Sequence, residues 1–153
     1  REEYKLVLGE RTAEDIKIAI GSAVQLPQAM EATMRGRDVI SGLPKEIVVD
    51  ESDIRRATRQ SVATLVNAVK SAIEETPPEL VADIMRRGIV LVGGGSLLRG
   101  LDQLIANETK IPAYVAEDPL TAVVRGTGMI LEDLDILSNV LVSARYEKTP
   151  VAI

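Results

Sequence analysis

The fold of this 153-residue chain is decided by one stretch, Gly88-Ile89-Val90-Leu91-Val92-Gly93-Gly94-Gly95-Ser96-Leu97-Leu98-Arg99-Gly100. Residues 89–92 are apolar without polar alternation, which is typical of a strand buried on both faces of a sheet. Three glycines follow, and we predict a helix over Ser96–Ala106 directly after them. A strand, a glycine turn and a helix in this order indicate an α/β fold.

The triple-glycine turn has the properties of a ligand contact. Glycine has no Cβ, so a ligand can lie directly against the backbone, and a helix N-terminus beside it offers free N–H groups. It is not a Walker A loop, because no Gly-Lys-Ser/Thr follows, and Leu98 stands where a GxGxxG motif needs its last glycine. Two interpretations therefore remain open, a tight turn that needs small residues and a contact with a nucleotide or another ligand.

Caps and periodicity predict the elements before this stretch. Thr12 is the predicted N-cap of a short amphipathic helix that ends at Gly21. Residues 28–50 predict two or three antiparallel strands around a turn at residues 41–44. Asp50 is the predicted cap of the longest helix, residues 51–75.

The remaining elements surround and follow the glycine turn. Thr76 as N-cap and Pro77 as first helical residue predict a helix that ends before Gly88. A short strand is predicted at residues 113–115. Asp118-Pro119 opens a last helix that we expect to reach Ala144, with a break near Gly126 or Asp133.

The composition excludes several classes of function. The chain has no cysteine and no histidine, so these residues hold no disulfide, no thiolate zinc site and no histidine-based triad. The net charge of -5 comes from interspersed charges without a basic stripe, which argues against nucleic-acid binding. No apolar run approaches the roughly 18 residues of a spanning helix. The chain starts at Arg1 without a methionine, and we expect it to be a fragment.

Six segments, in the same order, resemble the MreB family of bacterial actins. The stretch 88–100 is similar to the adenosine motif of the actin superfamily, and the resemblance runs from about Tyr4 to Leu141. The other five segments are Gly9–Lys17, Arg35–Asp38, Ser41–Lys45, Thr76–Leu80 and Ala116–Ala122.

The resemblance implies the C-terminal part of such a protein. The expected fold class is α/β, a partial actin-like (ribonuclease-H-like) second lobe with a small α+β outer subdomain. Residues 1–70 would form the outer subdomain, and 71–118 the inner subdomain with the glycine turn. Residues 119–153 would form the C-terminal helix that returns to the first lobe, and the tail.

The resemblance also implies a function and a site. MreB relatives bind ATP, polymerise into filaments and direct cell-wall synthesis and rod shape from the cytoplasm at the inner face of the membrane. Expected partners are other copies and cell-wall elongation proteins, with membrane contact through regions outside this chain. The site residues carried over are Gly93, Gly94, Gly95 and Ser96 at the α-phosphate and sugar, and Glu14 and Lys17 at the ribose and adenine. For Glu14 and Lys17 a solvated ion pair is the competing interpretation.

No catalytic residue or metal ligand is expected in this chain. The family's phosphate-binding hairpins, magnesium aspartates and water-positioning glutamate lie upstream of Arg1, and phosphoryl transfer needs all of them. We therefore expect the isolated chain not to hydrolyse ATP, and magnesium-dependent turnover by it would contradict this. The alternatives are a sugar kinase or a heat-shock-type chaperone ATPase of the same superfamily, or a free-standing interaction module.

Overall fold

The structure, a computed structural model, describes residues 3–132. Its elements are β1 (Leu6–Val7), α1 (Glu10–Ile20), β2 (Glu31–Asp38), β3 (Pro44–Asp50), α2 (Glu51–Glu74), α3 (Pro78–Arg87), β4 (Ile89–Leu91), a short 3-10 helix (Gly94–Leu97), α4 (Leu101–Thr109), β5 (Ala113–Val115) and α5 (Ala122–Glu132). The predicted last helix is present from Ala122 and continues through Gly126 without a break. Its predicted break at Asp133 and its extension to Ala144 lie outside the described residues.

The first sheet is antiparallel and has the order β1-β2-β3. Strands β2 and β3 pair over seven positions, from Glu31 opposite Asp50 to Arg37 opposite Pro44. Asp38 holds the turn between them, because its carboxylate accepts from the N–H groups of Ile40 at 2.9 Å and Ser41 at 2.8 Å. The predicted antiparallel strands of residues 28–50 are therefore confirmed.

Helix α1 begins earlier than the sequence predicts. Its N-cap is Gly9, in an extended conformation, and Thr12 lies inside the helix. The N–H of Ala13 donates to the carbonyl of Gly9 at 3.1 Å, so the backbone closes the first turn without a side-chain cap. The predicted end at Gly21 is confirmed.

Helix α2 has the predicted cap, and helix α3 does not. The N–H of Asp53 donates to the Asp50 carboxylate at 3.0 Å, and the N–H of Asp50 donates to the Asp53 carboxylate at 3.2 Å. The N-cap of α3 is Pro77 rather than Thr76. The Thr76 hydroxyl donates back to the carbonyl of Ala72 at 2.6 Å, which holds the side chain against the end of α2 and not over the first turn of α3.

The second sheet consists of β4 and β5, which run parallel and pair over three positions. One face packs on α2 and α4, whereas Val90 on the other face is 50% exposed. The prediction that β4 is covered on both faces is wrong for this residue, since among residues 3–132 the helices that pack on the sheet cover one side only.

Two apolar clusters stabilise the chain, and α2 contributes to both. The outer cluster joins α1 to the antiparallel sheet, and its buried members are Leu6, Ile16, Ile20, Met34 and Val49. The inner cluster joins α2 to α4, and its buried members are Val62, Val66, Leu101 and Ile105. Ile54, near the start of α2, packs on the outer cluster, so one helix spans both.

None of the helices within residues 3–132 is long and apolar enough to cross a membrane.

Candidate functional site

The triple-glycine turn follows β4 and is anchored on the segment after β5. Gly93 has a φ of 81°, a conformation that favours glycine. Its N–H donates to the carbonyl of Pro119 at 2.7 Å, and the N–H of Ala116 donates to the carbonyl of Leu91 at 3.0 Å. Residues 116–119 thus hold the turn through one backbone hydrogen bond and the end of β4 through another.

The helix after the turn differs from the prediction. Residues Gly94–Leu97 form a single 3-10 turn, and α4 starts only at Leu101. Gly100 has a φ of 71°, which an α-helix does not admit, so the predicted helix Ser96–Ala106 is wrong over residues 98–100. The N–H groups beside the glycines therefore belong to a 3-10 turn and not to the N-terminus of an α-helix.

Two of the three glycines border open space. A Cβ built on Gly93 or Gly95 would meet no atom within 4 Å, and one on Gly94 would lie 3.4 Å from Cδ2 of Leu120. Ser96 behaves differently, because it is 5% exposed and its hydroxyl donates to the carbonyl of Gly93 at 2.6 Å. The glycines present bare backbone outward, while the serine side chain holds the turn together from within.

Glu14 and Lys17 are both exposed on α1, one turn apart. Among the residues described, no ion pair joins them, so the structure does not show the solvated pair that was their competing interpretation. Both side chains line a groove of about 790 Å³ between α1 and α2. The Tyr4 hydroxyl in this groove donates to the Asp53 carboxylate at 2.7 Å, and this hydrogen bond raises the pKa of Tyr4.

That groove does not include the glycine turn, so it gathers only Glu14 and Lys17 of the six predicted site residues. The glycine turn and the helix that carries Glu14 and Lys17 are connected at the end of α1. The guanidinium of Arg99, three residues after Ser96, donates to the carbonyls of Ile18 at 3.0 Å and Gly21 at 3.3 Å. Sequence reasoning missed Arg99. The signal was Gly100, since a glycine inside a predicted helix often marks a break.

A second groove, of about 460 Å³, lies between α2 and α4 and contains four basic side chains. Three of them are paired: Arg55 with Glu51 at 2.5 Å, Arg56 with Asp53 at 2.6 Å and Lys70 with Glu108 at 2.6 Å. Because most of its charge is neutralised, this groove does not have the character of an anion site. Within residues 3–132, no group of three or more acidic side chains could hold a metal ion.

Comparison with known protein families and curated proteins gives one consistent result. The model of the MreB/Mbl protein family matches residues 1–139. The chain is 50% identical over 137 residues to the cell shape-determining protein Mbl of Bacillus subtilis (strain 168), which covers 90% of this chain and 41% of Mbl. It is 46% identical over 136 residues to the cell shape-determining protein MreB of Escherichia coli (strain K12), covering 39% of that protein. The chain thus spans about two fifths of the length of these relatives.

Comparison with solved structures also identifies MreB proteins as similar to this chain. The crystal structure of MreB5 of Spiroplasma citri bound to ADP superposes with a TM-score of 0.84 at 36% identity, covering 92% of this chain and 42% of MreB5. MreB5 bound to AMPPNP gives the same TM-score at 37% identity. The MamK double helical filament, at 21% identity and a TM-score of 0.68, shows the shared fold alone. The predicted α/β, partial actin-like fold is confirmed.

These results decide between the families that the sequence left open. The match to the MreB/Mbl model covers most of the chain, and it excludes a sugar kinase or a chaperone as the family of this sequence. The roles of the six site residues and the three subdomain boundaries stay predictions. The chain belongs to the MreB/Mbl family of bacterial actin-like proteins.

Proposed function

We propose that this chain supplies the nucleoside-contacting part of an ATP-binding, filament-forming bacterial actin that directs cell-wall synthesis and rod shape at the inner face of the membrane. The observation that carries the proposal is the bare backbone of the glycine turn at Gly93 and Gly95. Two related MreB5 structures, one bound to ADP and one to AMPPNP, support a nucleotide as the ligand.

The turn suits a nucleotide for a physical reason. A sugar and an α-phosphate need close approach to backbone N–H groups, and a side chain at Gly93 or Gly95 would occupy the space that such a ligand takes. Gly93 is also held rigidly by its hydrogen bond to Pro119, so little ordering is needed when the ligand binds.

Helix α1 supplies the second half of the proposed site. Glu14 would accept hydrogen bonds from the ribose hydroxyls, and Lys17 would contact the ribose and adenine side. Both are exposed and one helical turn apart, so both can reach a ligand on the same face of α1. Leu98, which follows the turn and is partly buried against the inner cluster, offers an apolar contact for the base.

In this proposal, phosphoryl transfer is carried out by residues other than those of this chain. ATP would arrive with magnesium, which neutralises the developing charge during phosphoryl transfer. The part played by the residues of this chain is to bind and orient the nucleoside end.

Self-association is the second part of the proposal. Filaments require a head-to-tail contact that does not close on itself, so two different surfaces of each copy must be complementary. The similarity in fold to MamK, which has been solved as a double helical filament, supports this arrangement. Cell-wall elongation proteins would be the further partners, and the membrane would be contacted through regions other than this chain.

The test uses a chimera, because the relatives are longer than this chain. The 137 matched residues of Bacillus subtilis Mbl are replaced by those of this chain, and ATP binding and ATP-dependent pelleting are measured. Gly95→Leu fills open space without backbone strain, so we expect it to weaken ATP binding by at least roughly tenfold, the effect of one obstructed ligand contact. Pelleting should fall with it.

The matched control is Gly9→Leu in the outer subdomain, which also adds a side chain where no neighbouring atom lies within 4 Å, at a φ of -72°. This variant should bind ATP like the unsubstituted chimera, and Gly95→Ala should fall between the two. If Gly95→Leu binds ATP and pellets normally, the proposed role of the turn is refuted.

A further inference from the structure

We propose that Arg99 is a positioning residue that clamps the C-terminal end of α1 to the glycine turn, so that both form one wall for recognition of the nucleoside. This inference rests on the proposed function and adds a residue that would act through α1 and the turn and not by contact with the ligand. Its evidence is a set of contacts at one point of the fold, between residues 18–24 and 98–100.

The side chain of Arg99 makes the first part of the clamp. Its Nη1 donates to the carbonyl of Ile18 at 3.0 Å and to that of Gly21 at 3.3 Å. The last carbonyls of a helix have no partner within the helix, and a cation at this end also interacts favourably with the helix dipole. One guanidinium therefore satisfies two carbonyls at the end of α1 from a distant position in the chain.

The backbone of Arg99 makes the second part. The N–H of Ala23 donates to the carbonyl of Arg99 at 2.8 Å, and Ser22 and Arg99 form an isolated parallel bridge. Ser22 is itself fully buried, and its hydroxyl donates to Glu51 at the start of α2. The end of α1 is therefore fixed to both Arg99 and α2.

Gly100 allows this close approach, whereas Gly21 is required by the end of its own helix, where a Cβ would lie 2.3 Å from the carbonyl oxygen of Lys17. Across the two segments, a Cβ on Gly21 would be in ordinary van der Waals contact with Cδ1 of Leu98, at 3.4 Å. A Cβ on Gly100 would lie 2.3 Å from Cγ2 of Val24. The two segments are thus in contact on both sides of Arg99, and the clamp has little freedom to shift.

The glycine turn is connected to the same point. The N–H of Leu98 donates to the carbonyl of Gly95 at 3.2 Å, and Ser96 is buried beneath the turn. On the other side, the N–H of Gly21 donates to the carbonyl of Lys17 at 2.8 Å, which ties the backbone of a predicted ligand residue to the clamped end of α1. A movement at Arg99 would alter the distance between the two halves of the site.

The break between the 3-10 turn and α4 allows the backbone of Arg99 to bond to the segment after α1. A continuous helix over residues 96–106 would turn the backbone of Arg99 away from Ala23, because its carbonyl would accept within the helix. The left-handed conformation of Gly100 ends that possibility and leaves the carbonyl free for Ala23.

The first experiment measures amide hydrogen exchange in the 153-residue chain. We expect Arg99→Met to speed exchange of Gly21 and Ala23 roughly tenfold, the effect of losing charge-assisted hydrogen bonds at that end, with β2 and β3 unchanged. Arg99→Lys keeps the charge and should retain part of the protection. The control is Arg86→Met, which removes an exposed arginine whose partner among residues 3–132 is Asp83 of the same helix, at 2.6 Å. Unchanged exchange in Arg99→Met overturns the clamp.

The second experiment separates positioning from a general loss of structure. In the Mbl chimera, binding of ATP is compared with binding of inorganic triphosphate, which lacks the nucleoside. We expect Arg99→Met to weaken ATP binding several-fold and to leave triphosphate binding as it was, with Arg99→Lys restoring part of the ATP affinity. Equal losses for both ligands overturn the positioning role, because they indicate a structural defect.

Failure of the proposed function would have a different signature. If the unsubstituted chimera does not discriminate ATP from triphosphate, the nucleoside site itself is refuted, and the positioning role is refuted with it. If the unsubstituted chimera does discriminate and Arg99→Met discriminates equally well, only the positioning role is refuted.

Discussion

The two sheets of this chain are built in opposite ways. The outer sheet, β1-β2-β3, is built on a local hairpin, in which β2 and β3 pair over seven positions and are joined by a turn that Asp38 closes. Strand β1 pairs with β2 at the other edge, with Leu6 opposite Asp38. The inner sheet pairs β4 and β5 over only three positions, with the 3-10 turn and α4 between them. Leu6 at the outer sheet is 2% exposed, whereas Val90 of the inner sheet is 50% exposed.

Because of this difference, the tightly packed core lies at the outer sheet and the exposed backbone lies at the inner sheet. The outer sheet obtains its stability from contacts close in sequence and from a core shared with α1. The inner sheet packs one face on helices and presents the glycine turn at the end of β4, where bare backbone is available to a ligand. Helix α2 links the two because it packs in both cores, so we expect one cooperative unfolding transition.

The largest expected effect comes from the outer core. Leu6→Ala removes a fully buried side chain and should lower the free energy of unfolding by about 3 kcal/mol. Val90→Ala, at a half-exposed position of β4, should cost less than about 1 kcal/mol. Urea denaturation followed by circular dichroism measures both. Similar losses for the two variants would show that the inner sheet is buried as fully as the outer one.

A pair of glycines gives the next effect. Gly100 and Gly42 have φ values of 71° and 72°, so alanine is strained equally at both. Only at Gly100 does the new Cβ also meet a neighbour, Val24, at 2.3 Å. We expect Gly42→Ala to cost about 1 kcal/mol and Gly100→Ala about 2 kcal/mol or more in denaturation experiments. Equal costs would mean that the contact between Gly100 and Val24 relaxes freely.

The hairpin should be sensitive to acid in a way that the inner sheet is not. The hydrogen bond from Lys45, at 2.8 Å, and those from Ser41 and Ile40 hold the pKa of Asp38 well below its ordinary value of 3.8. A depressed folded pKa means that the stabilisation is complete above the unfolded value and is lost as pH falls below it towards the folded value.

Thermal unfolding between pH 2 and pH 7 tests this. Asp38→Asn should lower the midpoint at pH 7 by a few degrees, because a charge-assisted cap is lost, and the gap to the unsubstituted chain should narrow below about pH 4. A gap that is constant with pH would show that the carboxylate charge does not stabilise the turn.

The smallest effect is expected where α2 meets α4 at the surface. Lys70 and Glu108 form an ion pair at 2.6 Å, but their side chains are 37% and 46% exposed. Solvent and salt screen such a pair, so Lys70→Met should leave the unfolding midpoint within experimental error, at low and at high salt. A clear salt-dependent loss would show that the pair, in addition to the apolar cluster, joins α2 to α4.

Local signals predicted most of the fold. The cap at Asp50, the antiparallel strands within residues 28–50 and the strand at residues 113–115 depend on neighbours in the sequence, and all are present. The errors in the helix bounds fall at helix starts, where backbone groups compete with side chains. Gly9 replaced Thr12 as a cap because its carbonyl closes the turn, and Thr76 was already bonded to Ala72.

The same local signals predicted only part of the candidate site. The glycine turn could be found because three consecutive glycines disfavour both helix and strand and leave the backbone bare. The contact of Arg99 with Ile18 could not, because the residues are 81 positions apart and nothing in the local pattern of either segment indicates the other. Gly100 indicated a break in the helix, but it did not indicate that Arg99 contacts the end of α1.

By itself, the sequence determined where most strands and helices lie and where the bare backbone of the glycine turn lies. These depend on periodicity, on caps and on glycine, all of which act over a few residues. The family was indicated separately, by the resemblance of six segments in order. Only the tertiary structure decided that α1 ends against Arg99 and that one face of β4 stays open. Such contacts arise when distant segments share one packing surface, and their free energy does not depend on sequence spacing.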